Sequence, residues 1–195
     1  MDLKNDGGIA FYRFQSLSNF PQLVHGVTTR HGGGSRPPFD TLNLSRTAGD
    51  APERVADNRR RVLARFPHTK PVYLHQRHGR SVAVLDGPAL PSDDHLPGAA
   101  DAVVTRRPGR LLAILIADCQ PVMLFDPVRG AVANIHSGWR GSVANIVGHT
   151  VAVMAERFDC RPAALWAGVG PSLGPCCAEF VPYRSEIPEA LWSYR

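Results

Sequence analysis

Between Arg110 and His136 the chain reads RLLAILIAD, CQ, PVMLFD, PVRG, AVANIH. Three apolar runs rich in β-branched residues follow one another with only short polar breaks. The first run is continuous and short enough for a buried strand, and the other two flank a turn and read as a hairpin. A chain built around such a segment has to make a sheet. The other segments fit that frame. IAFYRF near the N-terminus and LVHGVTTR (residues 23–30) read as strands. PVYLHQRHG and RSVAVLD read as a strand pair, ADAVVTRRPG as a short strand and turn, and AALWAGVG as a late strand. Helices are fewer. Asp50 and Glu53 fit a capping box with Pro52 in the first turn, and Val55, Val62, Leu63 and Phe66 fall on one face before Pro67. A second helix is predicted from Ser142 to about Phe158, with Val143, Ile146, Val147, Val151 and Met154 as its apolar face. HGGGSRPPFD and GPALPSDDHLPG read as loops. Hairpins outnumber crossovers, so the expected class is α+β: mixed β-sheets flanked by helices in layers.

Size and charge narrow the function classes. At 195 residues the chain predicts one domain, long enough for a core without disulfide staples. Leu111–Ala117, the longest apolar run, is too short to span a bilayer. The N-terminus lacks the basic-then-apolar order of a secretory signal, so a cytoplasmic protein is expected. The net charge of +5 comes from 20 arginines against 2 lysines, spread along the chain. The dense group Arg59, Arg60, Arg61 and Arg65 lies on the first predicted helix and reads as a solvated face. No nucleic-acid module is recognisable, and neither nucleic acid nor membrane is an expected partner.

Two of the apolar runs stop at reactive side chains. LIADC ends on Cys119, ANIH ends on His136, and HQRHG places His78 beside a glycine. Strand ends on one sheet edge are a natural place for side chains to converge. Two imidazoles and a thiolate suit a borderline-soft ion such as Zn²⁺, and three protein ligands leave a fourth position open. Two other readings stand beside it at this point. Cys119 could be a nucleophile with His136 or His78 as its base and Asp118 as orienter. All three could also be ordinary packing residues.

The blocks GVTTRHGGGSRPPFDTLNLSRTAGDAPERVADNRRRVL, HQRHGRSV, GAADAVVT, ADCQPVMLFD, ANIHSGWRGS and GPSLGPCCAEF occur in this order. Together they resemble the YfiH family, also called the multicopper polyphenol oxidoreductase or laccase-like family, to which the peptidoglycan editing factor belongs. The resemblance implies a layered YfiH-like fold and a metal held by His78, Cys119 and His136, usually zinc, with copper as the alternative. It implies phosphorolysis of adenosine, inosine or methylthioadenosine, with adenosine deamination as a companion activity. Phenol oxidation, a cysteine hydrolase or peptidoglycan-precursor amidase using Cys119, and a non-catalytic member are the competing readings. For the phosphorolysis, Arg30 and Arg140 are the expected phosphate holders, because a planar guanidinium matches two phosphate oxygens. Ser35 and Asn43 are expected to donate to substrate, and Asp118 to orient a ligand from behind. Family chains usually continue for some tens of residues, so the resemblance implies a domain shortened at its C-terminus.

Overall fold

The computed structural model describes residues 1–87, 94–174, 176, 177 and 179–191. Eleven strands are found among them: β1 (Asp2–Asp6), β2 (Ile9–Arg13), β3 (Val27–Thr28), β4 (Lys70–His75), β5 (Val82–Val84), β6 (His95–Ala99), β7 (Ala102–Thr105), β8 (Arg110–Ala113), β9 (Gln120–Asp126), β10 (Ala131–Ser137) and β11 (Trp166–Val169). The helices are α1 (Gln15–Ser18), α2 (Pro52–Leu63), α3 (Trp139–Val143), α4 (Ile146–Phe158) and α5 (Tyr183–Glu186). The class is α+β with mixed sheets, as the alternation of apolar runs and turns implies.

Three sheets form, in the orders β1-β2-β3, β11-β9-β10-β7-β5 and β6-β4-β8. The first is antiparallel, and its β1–β2 turn uses Gly7 and Gly8, both at positive φ. A tight hairpin demands that conformation, and glycine adopts it without steric cost. The five-stranded sheet is antiparallel except where β5 runs parallel to β7. The third is parallel throughout. β7 is buried along its whole length. Its Val104 joins Ile135, Ile146, Met154 and Phe158 in the core under α4, while Val103 joins Val72, Leu74 and Leu96 on the opposite face. Successive side chains of a strand point to opposite faces, so β7 serves two cores at once. No helix of the described residues is long and apolar enough to cross a membrane.

Several expectations need correction. PVYLHQRHG and RSVAVLD do not pair: β4 and β5 belong to different sheets. The run RLLAILIAD is strand only over Arg110–Ala113, and residues 111–116 are half-buried, with Leu111, Leu112, Ile114 and Ile116 packed against the margins of three core clusters. HLPG, expected as loop, falls in β6, while residues 88–93 of that loop lie outside the described residues. Asp50 does not cap α2. The N-cap is Ala51, and the Asp50 carboxylate is taken by Ser35 Oγ at 2.5 Å and Asn43 Nδ2 at 3.2 Å. Arg59 is not on a solvated face. It is 5% exposed, lies 3.9 Å over the Tyr73 ring, and donates from Nε to the Leu44 carbonyl at 2.8 Å. The second helix is broken. Asn145 sits in left-handed conformation between α3 and α4 and caps α4 by accepting from the Gly148 amide at 3.0 Å.

The glycine loop binds its own chain. A Cβ on Gly33 would stand 2.1 Å from the Thr41 carbonyl oxygen and 2.6 Å from Asn58 Oδ1. Fully buried Asn58 accepts from the Gly34 amide and donates to Ser35 Oγ and to the carbonyls of Thr41 and Asn43. The close approach that glycine permits here docks the loop onto α2.

Candidate metal centre

The register of β9 and β10 brings the first two ligands together. Antiparallel pairing sets His136 opposite Pro121 and Ser137 opposite Gln120, which carries Cys119 opposite Gly138. Cys119 stands in the bend just ahead of β9, at the end of the sheet where His136 lies near the end of β10. Cys119 and His136 therefore emerge at the same end. Gly138 forms one wall of the space between them. A Cβ there would lie 2.9 Å from His78 Cδ2, 3.2 Å from Cys119 Sγ and 3.6 Å from His136 Cε1.

His78 arrives from the opposite sheet. After β4 the chain turns toward β5, with Gln76 tied by both ends of its amide to the Leu115 backbone at 2.8 Å. His78 itself adopts φ 59°, a left-handed conformation that is uncommon for a residue with a side chain. What holds it is a carboxylate that the sequence reading passed over. Asp101, 1% exposed, accepts from the amides of Arg77, His78 and Gly79 at 2.8–3.2 Å. Successive amides in this conformation form a small anion-binding nest. The same carboxylate accepts from His136 Nδ1 at 2.8 Å. That contact fixes the tautomer: Nδ1 carries the proton, and Nε2 keeps its lone pair for an ion.

Burial alone would push the Asp101 carboxyl up. The hydrogen bonds from His136, Gly79, Arg77 and His78 outweigh it and hold the group below the ordinary carboxylate range. For Cys119 the forces act together. Burial, then the charges of Asp118 and Asp101, push its thiol up. Without a cation beside it this cysteine stays protonated, the reverse of what a free nucleophile requires.

The ligand atoms of His78, Cys119 and His136 lie within 4.8 Å of one another, and this is the only such cluster of three found among the described residues. The two imidazole rings meet edge to face with centroids 4.7 Å apart. Two nitrogens and a sulfur at this separation can share one ion whose bonds run ~2.0–2.3 Å, and the donor set suits zinc or copper. His78 is exposed, Cys119 half-buried and His136 buried, so the cluster opens toward solvent on the His78 side.

The remaining predicted residues lie elsewhere. Asp118 is exposed, and the carboxylate hydrogen-bonded to His136 Nδ1 is Asp101. The signal for Asp101 was an acid inside the apolar stretch GAADAVVT, where a carboxylate must have partners. Arg140 is on α3, its guanidinium 4.1 Å over the Trp139 ring and 2.5 Å from Glu186 Oε2. Arg30 is 74% exposed and 3.9 Å from Asp40. Ser35 and Asn43 are held by Asp50. Arg30, Asn43 and Asp118 also border a cavity of about 1340 Å³ beside the cluster; none of the three ligands lines it.

Comparison with known proteins gives the family of the chain. Residues 24–194 match the family model described as multi-copper polyphenol oxidoreductase laccase. A Shigella flexneri protein named purine nucleoside phosphorylase YfiH is 39% identical over 166 residues, 84% of this chain and 63% of its own length. Its Streptomyces griseus counterpart, purine nucleoside phosphorylase ORF3, is 43% identical over 174 residues, 85% of this chain and 69% of its own. The crystal structure of YlmD from Geobacillus stearothermophilus superposes with TM-score 0.77 at 31% identity, covering 90% of this chain and 67% of that one. A Bacillus licheniformis protein, YfiH, gives 0.79 at 28% identity with the same coverage. The chain thus spans roughly two thirds of the length of these relatives. By the extent of the match and by its structural neighbours, the chain belongs to the YfiH family of multi-copper polyphenol oxidoreductase laccase-like proteins.

Proposed function

We propose that this chain carries the metal site of a cytoplasmic, zinc-dependent purine nucleoside phosphorylase acting on adenosine, inosine and methylthioadenosine, with adenosine deamination as a companion activity. The observation that carries the reading is the convergence of His78, Cys119 and His136 around the side-chain-free Gly138, backed by Asp101. Relatives bearing the phosphorylase name supply the reaction class. Zinc held there supplies a Lewis acid that polarises a substrate oxygen and acidifies water.

The chain's own residues prepare the site. Asp101 keeps the His136 proton on Nδ1 and holds the His78 turn in place, so both imidazoles are aimed before substrate arrives. Gly138 blocks nothing on its side of the cluster, while exposed His78 marks the approach. Arg140, two residues beyond Gly138 in sequence, is the first phosphate holder and would exchange Glu186 for the anion. Arg30, loosely paired with Asp40, is the second. Ser35 and Asn43 act by fixing the glycine loop through Asp50. A bidentate guanidinium is the natural partner of a phosphate that must be held in one orientation.

Copper-dependent phenol oxidation finds less support. Four-electron reduction of dioxygen needs several coppers, and among the described residues one three-ligand cluster is found. The cysteine-hydrolase reading is opposed by the raised Cys119 thiol. Elemental analysis of purified protein, paired with incubation in adenosine and phosphate, decides among them. The expected result is one zinc per chain with release of adenine and ribose 1-phosphate, both lost in Cys119→Ser and His136→Ala. Stoichiometric metal with no released base would assign the chain to a non-catalytic role. Metal-free activity that alkylation abolishes would favour the hydrolase.

A further inference from the structure

The chain has four cysteines, and the structure divides them into two kinds. Cys160 is buried, and burial together with a hydrogen bond to Asp126 pushes its thiol up to about 12. Cys119 belongs to the metal centre, and its thiol is raised as well. Cys176 and Cys177 are exposed, and neither joins the metal cluster. The thiolate is the reactive form of cysteine and access governs its oxidation, so an oxidant from solution meets this pair first.

The two are also arranged to react with each other. The Cys177 amide donates to the Gly174 carbonyl at 3.0 Å and closes a turn. In it the two sulfurs lie 3.4 Å apart. Neighbouring side chains of an extended chain point to opposite faces, so this contact comes from the turn and not from adjacency in sequence. Each sulfur already stands beside the one it would attack. Consecutive Cα atoms are ~3.8 Å apart, below the ~4.4–6.8 Å usual for a disulfide, so a bridge here is strained and readily reduced again. Strained, exposed disulfides are the labile and regulatory kind rather than the structural kind.

The surroundings show what such a bridge would touch. Before the pair, Gly170 donates its amide to the Pro121 carbonyl at 2.9 Å, and Leu173 donates to the Asp118 carbonyl at 3.0 Å, next to Cys119 in sequence. After the pair, Phe180 packs on Trp139 with ring centroids 4.6 Å apart, and Glu186 pairs with Arg140 on α3. The dithiol therefore sits between two anchors. One adjoins Cys119, and the other is the helix that follows Gly138.

We propose that Cys176 and Cys177 are a reversible redox modification site, closed to a vicinal disulfide by a low-molecular-weight disulfide such as oxidised glutathione, and that closure is felt at both anchors. One cysteine thiolate attacks the oxidant, forms a mixed disulfide and expels one thiolate. The other cysteine, as thiolate, attacks the protein sulfur of that mixed disulfide and expels the second. The dithiol gives up two electrons and two protons, and the oxidant becomes two thiols. A reducing dithiol reverses the sequence. The inference is independent of the phosphorylase reading, because neither sulfur is a member of the metal cluster.

The test treats the purified 195-residue chain with oxidised glutathione, alkylates the remaining thiols and maps them by peptide mass spectrometry. Cys176 and Cys177 are expected to resist alkylation, to be lighter by two hydrogens and to carry no glutathione, and dithiothreitol is expected to restore both thiols. Cys176→Ser and Cys177→Ser should each stop at a mixed disulfide that keeps one glutathione. Circular dichroism checks that the variants fold; if either does not, the wild-type map decides alone. Hydrogen–deuterium exchange should differ between oxidised and reduced protein by about threefold or more at Leu173 and in α3, and should match in β1. The proposal fails if both cysteines stay open to alkylation, if the wild-type chain retains glutathione, or if either cysteine bridges to Cys119. Equal exchange in the two states overturns the link to the anchors.

Discussion

At the level of single residues, the site is organised by one carboxylate and one missing side chain. Asp101 reaches both imidazole-bearing segments, so its replacement disturbs two ligands together. Asp101→Asn is expected to lower zinc affinity by about 10–100-fold, the usual range for a partner behind a metal-bound histidine. Competition with a chromophoric chelator measures it. Gly138→Ala tests the other side. Gly138 has φ −72°, open to any residue, so the cost is steric and local, from a Cβ 2.9 Å from the His78 ring. Metal stoichiometry should fall while the melting temperature of the metal-free protein stays within ~2 °C of wild type, since no core contact is lost. The candidate ligands His78, Cys119 and His136 were marked only by the family-like blocks HQRHG, ADCQP and ANIHSGWRG, and the structure brings their ligand atoms within 4.8 Å of one another. Asp101 was not legible, because its partners lie 22–35 residues away and only the fold brings them near. Asp118 is adjacent to the cysteine in sequence but lies in an exposed bend, and the carboxylate on His136 Nδ1 is Asp101.

At the level of elements, local signals found the hairpin β9–β10 and the body of α4. They misjudged whatever depended on a neighbour's demands. Asp50 had the spacing of a cap, but Ser35 and Asn43 claimed its carboxylate. The break between α3 and α4 was invisible to periodicity, because apolar residues continue in step across it. Asn145→Ala should cost about 1–2 kcal/mol in chemical denaturation, through loss of the cap and of a residue that tolerates left-handed backbone. His25 links α1 to β3, accepting from the Phe14 amide at Nε2 at 3.0 Å. Burial, and then the charge of Arg13, hold it below its ordinary value of 6.5. The folded protein therefore binds that proton less readily than the unfolded chain does. Its contribution is complete above pH ~6.5 and is lost as the pH falls through that value toward the folded one. Unfolding free energy measured between pH 7 and 5 should fall less steeply in His25→Gln than in wild type.

For the molecule as a whole, the sheet-rich class and layering followed from the pattern of apolar runs. How strands divide among sheets did not. β4 and β5 look like a hairpin in sequence, yet Asp101 gathers the intervening amides and sends the chain from one sheet to another. Ligands drawn from both sheets predict a global effect of the ion. Zinc at a hundredfold excess over its dissociation constant should add about 2.7 kcal/mol of stability. Thermal melts with zinc and with chelator check this, and Cys119→Ser should remove the difference.

The passage from β4 to β5 crosses a seam between two sheets that share little backbone pairing, and the metal ligands stand astride it. An ion bound there would work as a rivet as well as a reagent. Sliding of one sheet against the other would then be felt first as a change in coordination, and under the proposed function mechanical integrity and chemical competence would depend on the same three side chains.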